Sequence, residues 1–496
     1  MSILHRRTAA AALCGALLLA LAPDARAQGK IVVKAGRVIT LAGPDVVGGT
    51  IVIDNGRITA VGKDASAPWD AEVLDRPELV ACPGFVEAHT FRGMDRPNEN
   101  IEVAPFLDVR DSIDPVNFFF EDCLRSGITT INIQQGNATV IGGQGMVVRP
   151  VGLTIEEMVV RTSSGLKVSA APRPGRSRAT QAQALRKAFT DLQQYLEKTV
   201  RDKKDGKDTA RREALYQGRD LEKEENKRGR AMEGNATWKV ANLQIVPRGE
   251  IDEKQEPLLK LVEGQLQAFV YCESAVAVQL GLEVARTNGF LASTALVLDG
   301  DAWKAADMIA EAGVPVVLGS VLLHVERDPV TGKEIETFVP GVFKKKGVRF
   351  ALQSLNATSQ SLWFQAATCV AYGIDRKDAL EAVTRVPSDI LRLGNRVGSL
   401  EPGKDGNVVL YSGDPLSVTS LVQFVVIDGK LVYDRSKDVR VKHLIEGQEP
   451  ENTAPSGMQE PPHPHGDDEA PGPKDKEKDK DQKNGGGKPE PGPKKD

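Results

Sequence analysis

IVIDNGRITAVG, residues 51–62, has a short apolar run on either side of Asn55-Gly56. An Asn-Gly pair in this setting predicts a two-residue hairpin turn, because both residues of that turn need positive φ angles. The preceding residues 31–43, IVVKAGRVITLAG, have the same strand-like texture. This part of the chain is therefore predicted to be a small β segment.

A matching segment lies near the other end of the chain. VQFVVIDGKLVYD, residues 422–434, has Asp428-Gly429 as a second hairpin signal. Each segment is too short to bury a face alone. We therefore expect residues 28–82 and 396–445 to form one composite β-sandwich domain.

Between these segments, apolar strand-like runs alternate with helical stretches, which is typical of a (β/α)8 TIM-type barrel within residues 83–395. A doubly wound sheet is the alternative. The runs are FVEAH (85–89), ITTINI (128–133), LKVSAA (166–171), QAFVYC (267–272), FLASTALVL (290–298), PVVLG (315–319) and VRFALQ (348–353).

Three segments are expected to lie outside the barrel core. Residues 1–27 have a basic start, an apolar run and Ala25-Arg26-Ala27, a pattern that indicates a signal peptide cleaved after Ala27 and export to the periplasm or beyond. Residues of about 180–256 are highly charged and are predicted to be a solvated helical insertion. Residues 446–496 contain few large apolar side chains and are expected to be disordered.

Composition excludes several classes of function. The chain has 496 residues and a net charge of −4 with both signs interspersed, which argues against nucleic acid as the main partner. No stretch is long and apolar enough to span a membrane. Beyond the leader the cysteines form no CxxC pair, so we expect buried free thiols; they are Cys82, Cys123, Cys272 and Cys369.

PGFVEAHTFRG, residues 83–93, is the first candidate site. Its strand-like alternation predicts that Glu87, His89 and Phe91 share one face. A metal site at this position would need a second histidine where Phe91 stands. A further glycine-rich run, GNATVIGGQG (136–145), could cradle a phosphate, but it lacks the Lys-Ser/Thr of a P-loop, so a tight loop at the barrel rim is favoured.

Several blocks resemble, in order and spacing, the amidohydrolase superfamily, and within it the secreted imidazolonepropionase-like proteins. The resemblance covers residues of about 30–440. It is carried by CPGFVEAHT (82–90), ITTINIQQGNATVIGGQGMVVRP (128–150) and, most specifically, DALEAVTRVPSDILRLGNRVGSLEPGKDGNVVLYSGDPL (378–416). It implies a metal-dependent hydrolase of carbon–nitrogen bonds other than peptide bonds, in which the metal activates a water molecule at the carboxyl ends of the barrel strands.

Most ligands that the resemblance implies are missing. His89 matches the first histidine of the family's His-x-His pair, but Phe91 takes the place of the second. Tyr271-Cys272-Glu273 stands where the family has His-Ala-His, Leu298-Asp299-Gly300 replaces Glu-His-Gly, and the catalytic Asp aligns near Leu355. Of the six histidines only His89 and His324 belong to the barrel region. The usual site cannot be assembled from two imidazoles.

Three hypotheses about function remain, and one of them is a surface or envelope scaffold in which the charged insertion and the tail make the contacts. The favoured one is a metal-free, non-catalytic relative that binds an unknown small molecule or protein, or supports an assembly that can include further copies of itself. The alternative is a hydrolase with a rebuilt zinc or iron site drawn from Glu87, His89, Cys272, Glu273 and Asp299. Under this alternative Lys167 is a candidate for carboxylation, and Glu273 and Asp299 are candidate catalytic carboxylates.

Overall fold

A computed structural model describes residues 30–216, 237–239, 245–247, 251–354 and 361–447. The expected signal peptide (1–27), the position of Leu355 and all but the first two residues of the expected tail (446–496) lie outside the described residues. The chain divides into two units, residues 1–442 and 443–496, and of the second only residues 443–447 are described.

The described residues contain nineteen strands. They are β1 (Ile31–Val38), β2 (Val46–Asp54), β3 (Arg57–Gly62), β4 (Glu72–Pro83), β5 (Phe85–Thr90), β6 (Ile128–Ile133), β7 (Ile141–Val148), β8 (Val159–Ser169), β9 (Thr237–Lys239), β10 (Ile245–Pro247), β11 (Ala268–Cys272), β12 (Thr294–Leu298), β13 (Val316–Leu318), β14 (Leu323–Arg327), β15 (Glu334–Phe338), β16 (Phe350–Leu352), β17 (Val408–Tyr411), β18 (Val422–Ile427) and β19 (Lys430–Asp434).

The same residues contain eleven α-helices. They are α1 (Phe118–Arg125), α2 (Ile155–Met158), α3 (Arg178–Tyr216), α4 (Glu256–Val262), α5 (Ala275–Thr287), α6 (Ala306–Ala312), α7 (Val339–Lys345), α8 (Leu362–Ala371), α9 (Arg376–Glu381), α10 (Arg385–Ile390) and α11 (Val439–Glu446).

Strands from both ends of the sequence form one seven-stranded sheet in the order β19-β18-β17-β4-β1-β2-β3. Both hairpin predictions are confirmed, since Asn55 and Asp428 have φ angles of 51° and 48° and are each followed by a glycine with positive φ. The two segments meet where β17 pairs antiparallel with β4. This topology is a single continuous sheet, and it does not establish the two-layered sandwich that we expected.

The middle of the chain forms an eight-stranded, nearly closed barrel-like sheet in the order β16-β13-β12-β11-β8-β7-β6-β5. The strands follow each other in sequence order around the sheet. A doubly wound sheet would instead reverse its order at a switch point, so that alternative is wrong.

The barrel departs from an all-parallel (β/α)8 arrangement at one strand. Strand β7 runs antiparallel to both β6 and β8, whereas the other neighbouring strands run parallel. The reason lies in the connection before β7, which contains only residues 134–140. A parallel crossover needs a dozen or more residues, so this short connection forces the next strand to turn back.

Strands β5 and β16, at the two ends of the sheet order, leave a seam in the barrel. The amide of Val86 donates a hydrogen bond to the carbonyl of Val383 (2.8 Å), and the amide of Leu352 donates one to the carbonyl of Ala382 (3.1 Å). One amide on each edge strand is therefore hydrogen-bonded to the connection between α9 and α10. Side-chain contacts across the rest of the seam are described below.

The buried apolar residues of the barrel strands belong to two separate clusters. In β12, for example, Ala295 and Val297 belong to a smaller cluster that also contains Phe269 and Ile390, while Leu296 and Leu298 belong to the large cluster that packs against the helices. The smaller cluster fills the barrel below the carboxyl ends of the strands. Polar side chains occupy the layer above it.

The charged insertion is only partly helical and only partly solvated. Its helix α3 buries Leu185, Phe189, Leu192 and Leu196, whose spacing of three and four residues places them on one helix face. Strands β9 and β10 form a short antiparallel pair within the insertion. Most of the described insertion is helical, as predicted, but one face of α3 is buried, which the expectation of a solvated segment did not include. Among the described residues, the cysteines are buried and free, as predicted; they are Cys82, Cys123, Cys272 and Cys369.

Candidate functional site

The polar layer of the barrel contains four side chains that are 2% exposed or less: Glu87 and His89 from β5, Lys167 from β8, and Gln353 immediately after β16. Strands β5 and β8 are separated by two strands in the sheet. A contact between His89 and Lys167 therefore crosses the interior of the barrel.

Both ring nitrogens of His89 have a protein partner. Nδ1 lies 2.8 Å from Oε1 of Gln353, and Nε2 lies 2.8 Å from Nζ of Lys167. Because an amide oxygen only accepts, Nδ1–H is the donor, and the lone pair of Nε2 accepts from the lysine amine. Burial, followed by the charge of Lys167, lowers the pKa of His89 well below its usual value. The imidazole is therefore neutral.

Lys167 is an amine in a buried setting. Burial lowers its pKa to about 7. Its Nζ lies 5.4 Å from the centroid of the Tyr271 ring, on the neighbouring strand β11. The π electrons of this ring favour a cation at the position of the amine, in opposition to the effect of burial.

Glu87 does not share the partners of His89. Its Oε2 accepts hydrogen bonds from the amide of Ser354 (3.0 Å) and from the Ser354 hydroxyl, while Oε1 has no hydrogen-bond partner. Burial raises the pKa of Glu87 to about 8, against the lowering effect of the bonds from Ser354. The pairing of β5 with β6 shifts register between Glu87 and Thr90, so simple alternation along this stretch does not hold.

Cys272 adds little to a site. It is fully buried, its Sγ has a long contact of 3.8 Å with the Val270 carbonyl, and burial raises the pKa of the thiol. It therefore stays a neutral thiol, and it belongs to the large apolar cluster that packs against the helices.

The remaining candidates lie nearer the rim. Asp299 accepts a hydrogen bond from the amide of Gly300 (2.8 Å). Burial, and then the charges of Asp299 and Glu273, raise the pKa of Tyr271. Both carboxylates therefore lie close enough to Tyr271 to affect its ionisation. Phe91 packs against the large apolar cluster.

These residues do not fit a zinc or iron ion. Among the described residues, no group of three or more His, Cys, Asp or Glu side chains is placed to hold a metal. His89, the remaining imidazole of the family's motif, already uses both nitrogens, and Glu87 is directed to Ser354. A tetrahedral or octahedral ion needs several free lone pairs at one point, which this layer does not present.

The glycine-rich run does not form a phosphate cradle, and it is a loop only in its first half, residues 136–140, which follows β6. Its glycines 142, 143 and 145 lie within strand β7. A Cβ on Gly145 would lie 2.0 Å from Nε2 of Gln134, a fully buried side chain that bonds to Ser164. Buried glutamine side chains thus occupy the space beside Gly142 and Gly145, whereas the Leu107 backbone carbonyl occupies the space beside Gly143.

Sequence reasoning missed Gln353, Ser354 and Gln134. Each is a common polar residue at or just beyond the carboxyl end of a strand, with no motif around it. The one available signal was a polar residue directly after an apolar run, which is also how many surface turns begin.

Three surface clefts lie beside α3, away from this layer. The largest of these three, of about 420 Å³, is lined by α3, α4 and α5, with Phe189, Leu259 and Val284 on its apolar wall and Arg186 and Glu283 at its edge.

Among the described residues, no helix combines the length and the apolar character needed to cross a bilayer.

No protein-family model matches the chain. It is 38% identical over 80 residues to Amidohydrolase tasK of Hapsidospora irregularis, which is 16% of this chain and 8% of that protein. It is 38% identical over 70 residues to 5-methylthioadenosine/S-adenosylhomocysteine deaminase of Moorella thermoacetica, 14% of this chain and 16% of that protein. These alignments span less than a fifth of either relative. The structure is similar to that of an amidohydrolase from Thermotoga maritima, with a TM-score of 0.66 and 26% identity over 82% of this chain and 100% of the other.

Proposed function

This chain belongs to the amidohydrolase superfamily, and from that premise we propose that it is an exported, metal-free relative that binds a small molecule or a protein partner and does not hydrolyse amides. The observation that carries the proposal is the double occupancy of the His89 ring, with Gln353 on Nδ1 and Lys167 on Nε2.

The chemistry of the superfamily explains why this observation matters. Metal-dependent hydrolysis needs an ion with an open position, a bound water made acidic by that ion, and a base that takes its proton. Here the imidazole lone pair is already used inside the protein. The buried carboxyl of Glu87, with its pKa raised to about 8, is mostly protonated at neutral pH and is a poor anionic ligand.

The alternative is a hydrolase of non-peptide carbon–nitrogen bonds that uses a rebuilt zinc or iron site. It is supported by the names of the relatives, which are an amidohydrolase and a deaminase. It would have to recruit His89, Lys167, Asp299 and Glu273 into one site, which requires the Lys167–His89 bond to break.

Elemental analysis of the purified protein separates the two functions. We expect well below one zinc, iron or manganese ion per chain, and no hydrolysis of a panel of cyclic amides and imides with any of these metals added. The matched variants are His89→Ala and His324→Ala, the second being a partly exposed histidine whose ring packs 6.1 Å from that of Trp303. About one metal ion per chain, lost together with hydrolytic activity in His89→Ala but not in His324→Ala, would overturn the proposal.

Export is the second part of the proposal. Cell fractionation and amino-terminal sequencing test it, and we expect mature protein that begins at Gln28, outside the cytoplasm. Full-length protein in the cytoplasm would contradict it.

A further inference from the structure

We propose that the Lys167 amine takes the place of a metal ion in this barrel, and that removing its side chain opens a cavity that binds a small cationic amine. This inference rests on the proposed function, since it requires a barrel that holds no metal. It goes further by stating what replaced the ion.

The geometry of His89 carries the first step. A metal ion and an N–H group compete for the same lone pair, and Nζ of Lys167 lies 2.8 Å from Nε2. The ring cannot turn away easily, because its Nδ1 donates to the side-chain oxygen of Gln353. The backbone carbonyl of Gln353 in turn accepts a hydrogen bond of 2.8 Å from Nε2 of Gln365. The imidazole is thus aimed at the amine as it would be aimed at an ion.

The second argument concerns the charge of the groups that surround the Lys167 amine. The groups identified around the amine are the His89 imidazole with its lone pair and the Tyr271 ring, both of them neutral. Two positive charges would be poorly compensated here, because Glu87 is directed to Ser354. A single ammonium charge, spread over a lone pair and an aromatic face, suits this layer better.

The third argument concerns the space that the Lys167 side chain fills. Lys167 is fully buried, and the neighbouring Gly142 has no side chain to crowd its stem: a Cβ there would lie 3.3 Å from Cβ of Lys167. Cutting the lysine back to alanine would leave a cavity that ends at Nε2 of His89 and the Tyr271 ring. An alkylamine small enough to enter it could restore both contacts.

The test is chemical rescue of the full chain. Lys167→Ala is compared with Leu166→Ala, the preceding residue on β8, which is also fully buried but packs in the large apolar cluster. The melting temperature of each is measured in methylamine hydrochloride and in tetramethylammonium chloride, a cation too large for the cavity, at equal concentration. We expect methylamine alone to raise the melting temperature of Lys167→Ala, by about 2–4 °C and saturably, while wild type and Leu166→Ala do not respond. No response of Lys167→Ala, or an equal response of both variants, overturns the inference.

A second variant covers the case in which Lys167→Ala does not fold. Lys167→Met keeps the apolar stem and removes the amine. In ¹⁵N-histidine NMR spectra, with the signals of His89 identified by their loss in His89→Gln, we expect the Nε2 resonance to move in Lys167→Met to the position of an unbonded imidazole nitrogen. An unchanged resonance would contradict the inference. About one metal ion per chain in the wild type would instead count against the proposed function. A metal-free wild type, combined with no rescue of Lys167→Ala by methylamine, would count against this inference alone.

Discussion

Nζ of Lys167 and Nε2 of His89 lie 2.8 Å apart inside the barrel, with both side chains fully buried and two strands between their own strands in the sheet. The contact joins opposite parts of the interior, so it depends on the closed barrel and in turn stabilises the closure. Together with the Gln353 contact at Nδ1, it leaves His89, the residue that the sequence resemblance matches to a metal-binding histidine, without a free ring nitrogen. The predictions below test the consequences of this arrangement and of the fold around it.

Replacing Phe91 with histidine should not restore a metal site. The change returns one imidazole, but His89 remains bonded to Lys167 and the large apolar cluster loses an aromatic ring. We expect Phe91→His to lose about 1–3 kcal/mol of unfolding free energy in urea titration and to bind no zinc in elemental analysis. Phe91→Leu, which keeps an apolar side chain, should lose less. Tight zinc binding by Phe91→His would show that the lysine yields its place readily.

Glu87→Gln should stabilise the protein increasingly as the pH rises from 5 to 8. The folded-state pKa of Glu87 is raised by burial to about 8, from 4.5 for a free glutamate. Below about pH 4.5 both states are protonated and the group has no effect. Between these two pKa values only the unfolded state ionises, so the wild type loses on the order of 1.4 kcal/mol of stability each time the pH rises by one.

Urea unfolding of both proteins at several pH values measures this difference. Glu401→Gln is the control, because hydrogen bonds from Lys404 and Ser399 lower the pKa of Glu401 and its effect should have the opposite sign. Parallel pH profiles for Glu87→Gln and wild type would show that Glu87 is ionised in the folded protein.

Asp438→Asn should destabilise the attachment of the last strand region to the barrel. Arg125 donates to both carboxylate oxygens of Asp438, at 2.8 and 3.2 Å, and the Tyr433 hydroxyl donates to Oδ2 at 2.9 Å. Burial acts to raise the pKa of Asp438, but these bonds outweigh it and lower the pKa to about 2. We expect a loss of about 2–3 kcal/mol near neutral pH.

The pH dependence of this contribution has a definite sign. Since the folded-state pKa lies below that of a free aspartate, the contribution is complete above about pH 4 and disappears as the pH falls toward 2. Wild type and Asp438→Asn should therefore converge in stability over this range. Lys437→Ala, which removes the exposed ion pair with Asp434, is the control and should cost less than about 0.5 kcal/mol.

Gly145→Ala should be strongly destabilising although the position is in a strand. The new methyl group would lie 2.0 Å from Nε2 of Gln134, which is buried and bonded to Ser164 at 2.8 Å. We expect a loss of about 2–4 kcal/mol in thermal or urea unfolding. Gly62→Ala, on strand β3 with no atom within 4 Å of the new methyl group, should be nearly neutral. Equal effects of the two changes would show that backbone freedom, not space, explains these glycines.

Local patterns predicted much of the fold. The hairpins at Asn55 and Asp428 follow from residues that tolerate positive φ, and the barrel order follows from apolar runs of strand length. Two errors had visible signals in the sequence. Residues 134–140 are too few for a parallel crossover before β7, and Leu185, Phe189, Leu192 and Leu196 already have the spacing of a buried helix face.

The site was less predictable, for a physical reason. The sequence showed that Phe91 and Tyr271 stand where the resemblance implies metal ligands. It could not show the partners of His89, because the distance between Lys167 and His89 depends on how far the barrel closes, and Gln353 lies 264 residues from His89. No local pattern encodes such a contact.

The pairing of β4 with β17 has a consequence for how the molecule is made. Strands β1 to β4 are complete once residue 83 has been synthesised, yet the partner of β4 begins only at Val408. Until then the first sheet is four strands wide and ends in an open edge, which can pair with other chains. A chain that is held unfolded until it passes through a membrane, as we propose for this one, does not form that open-edged sheet while its synthesis is still in progress.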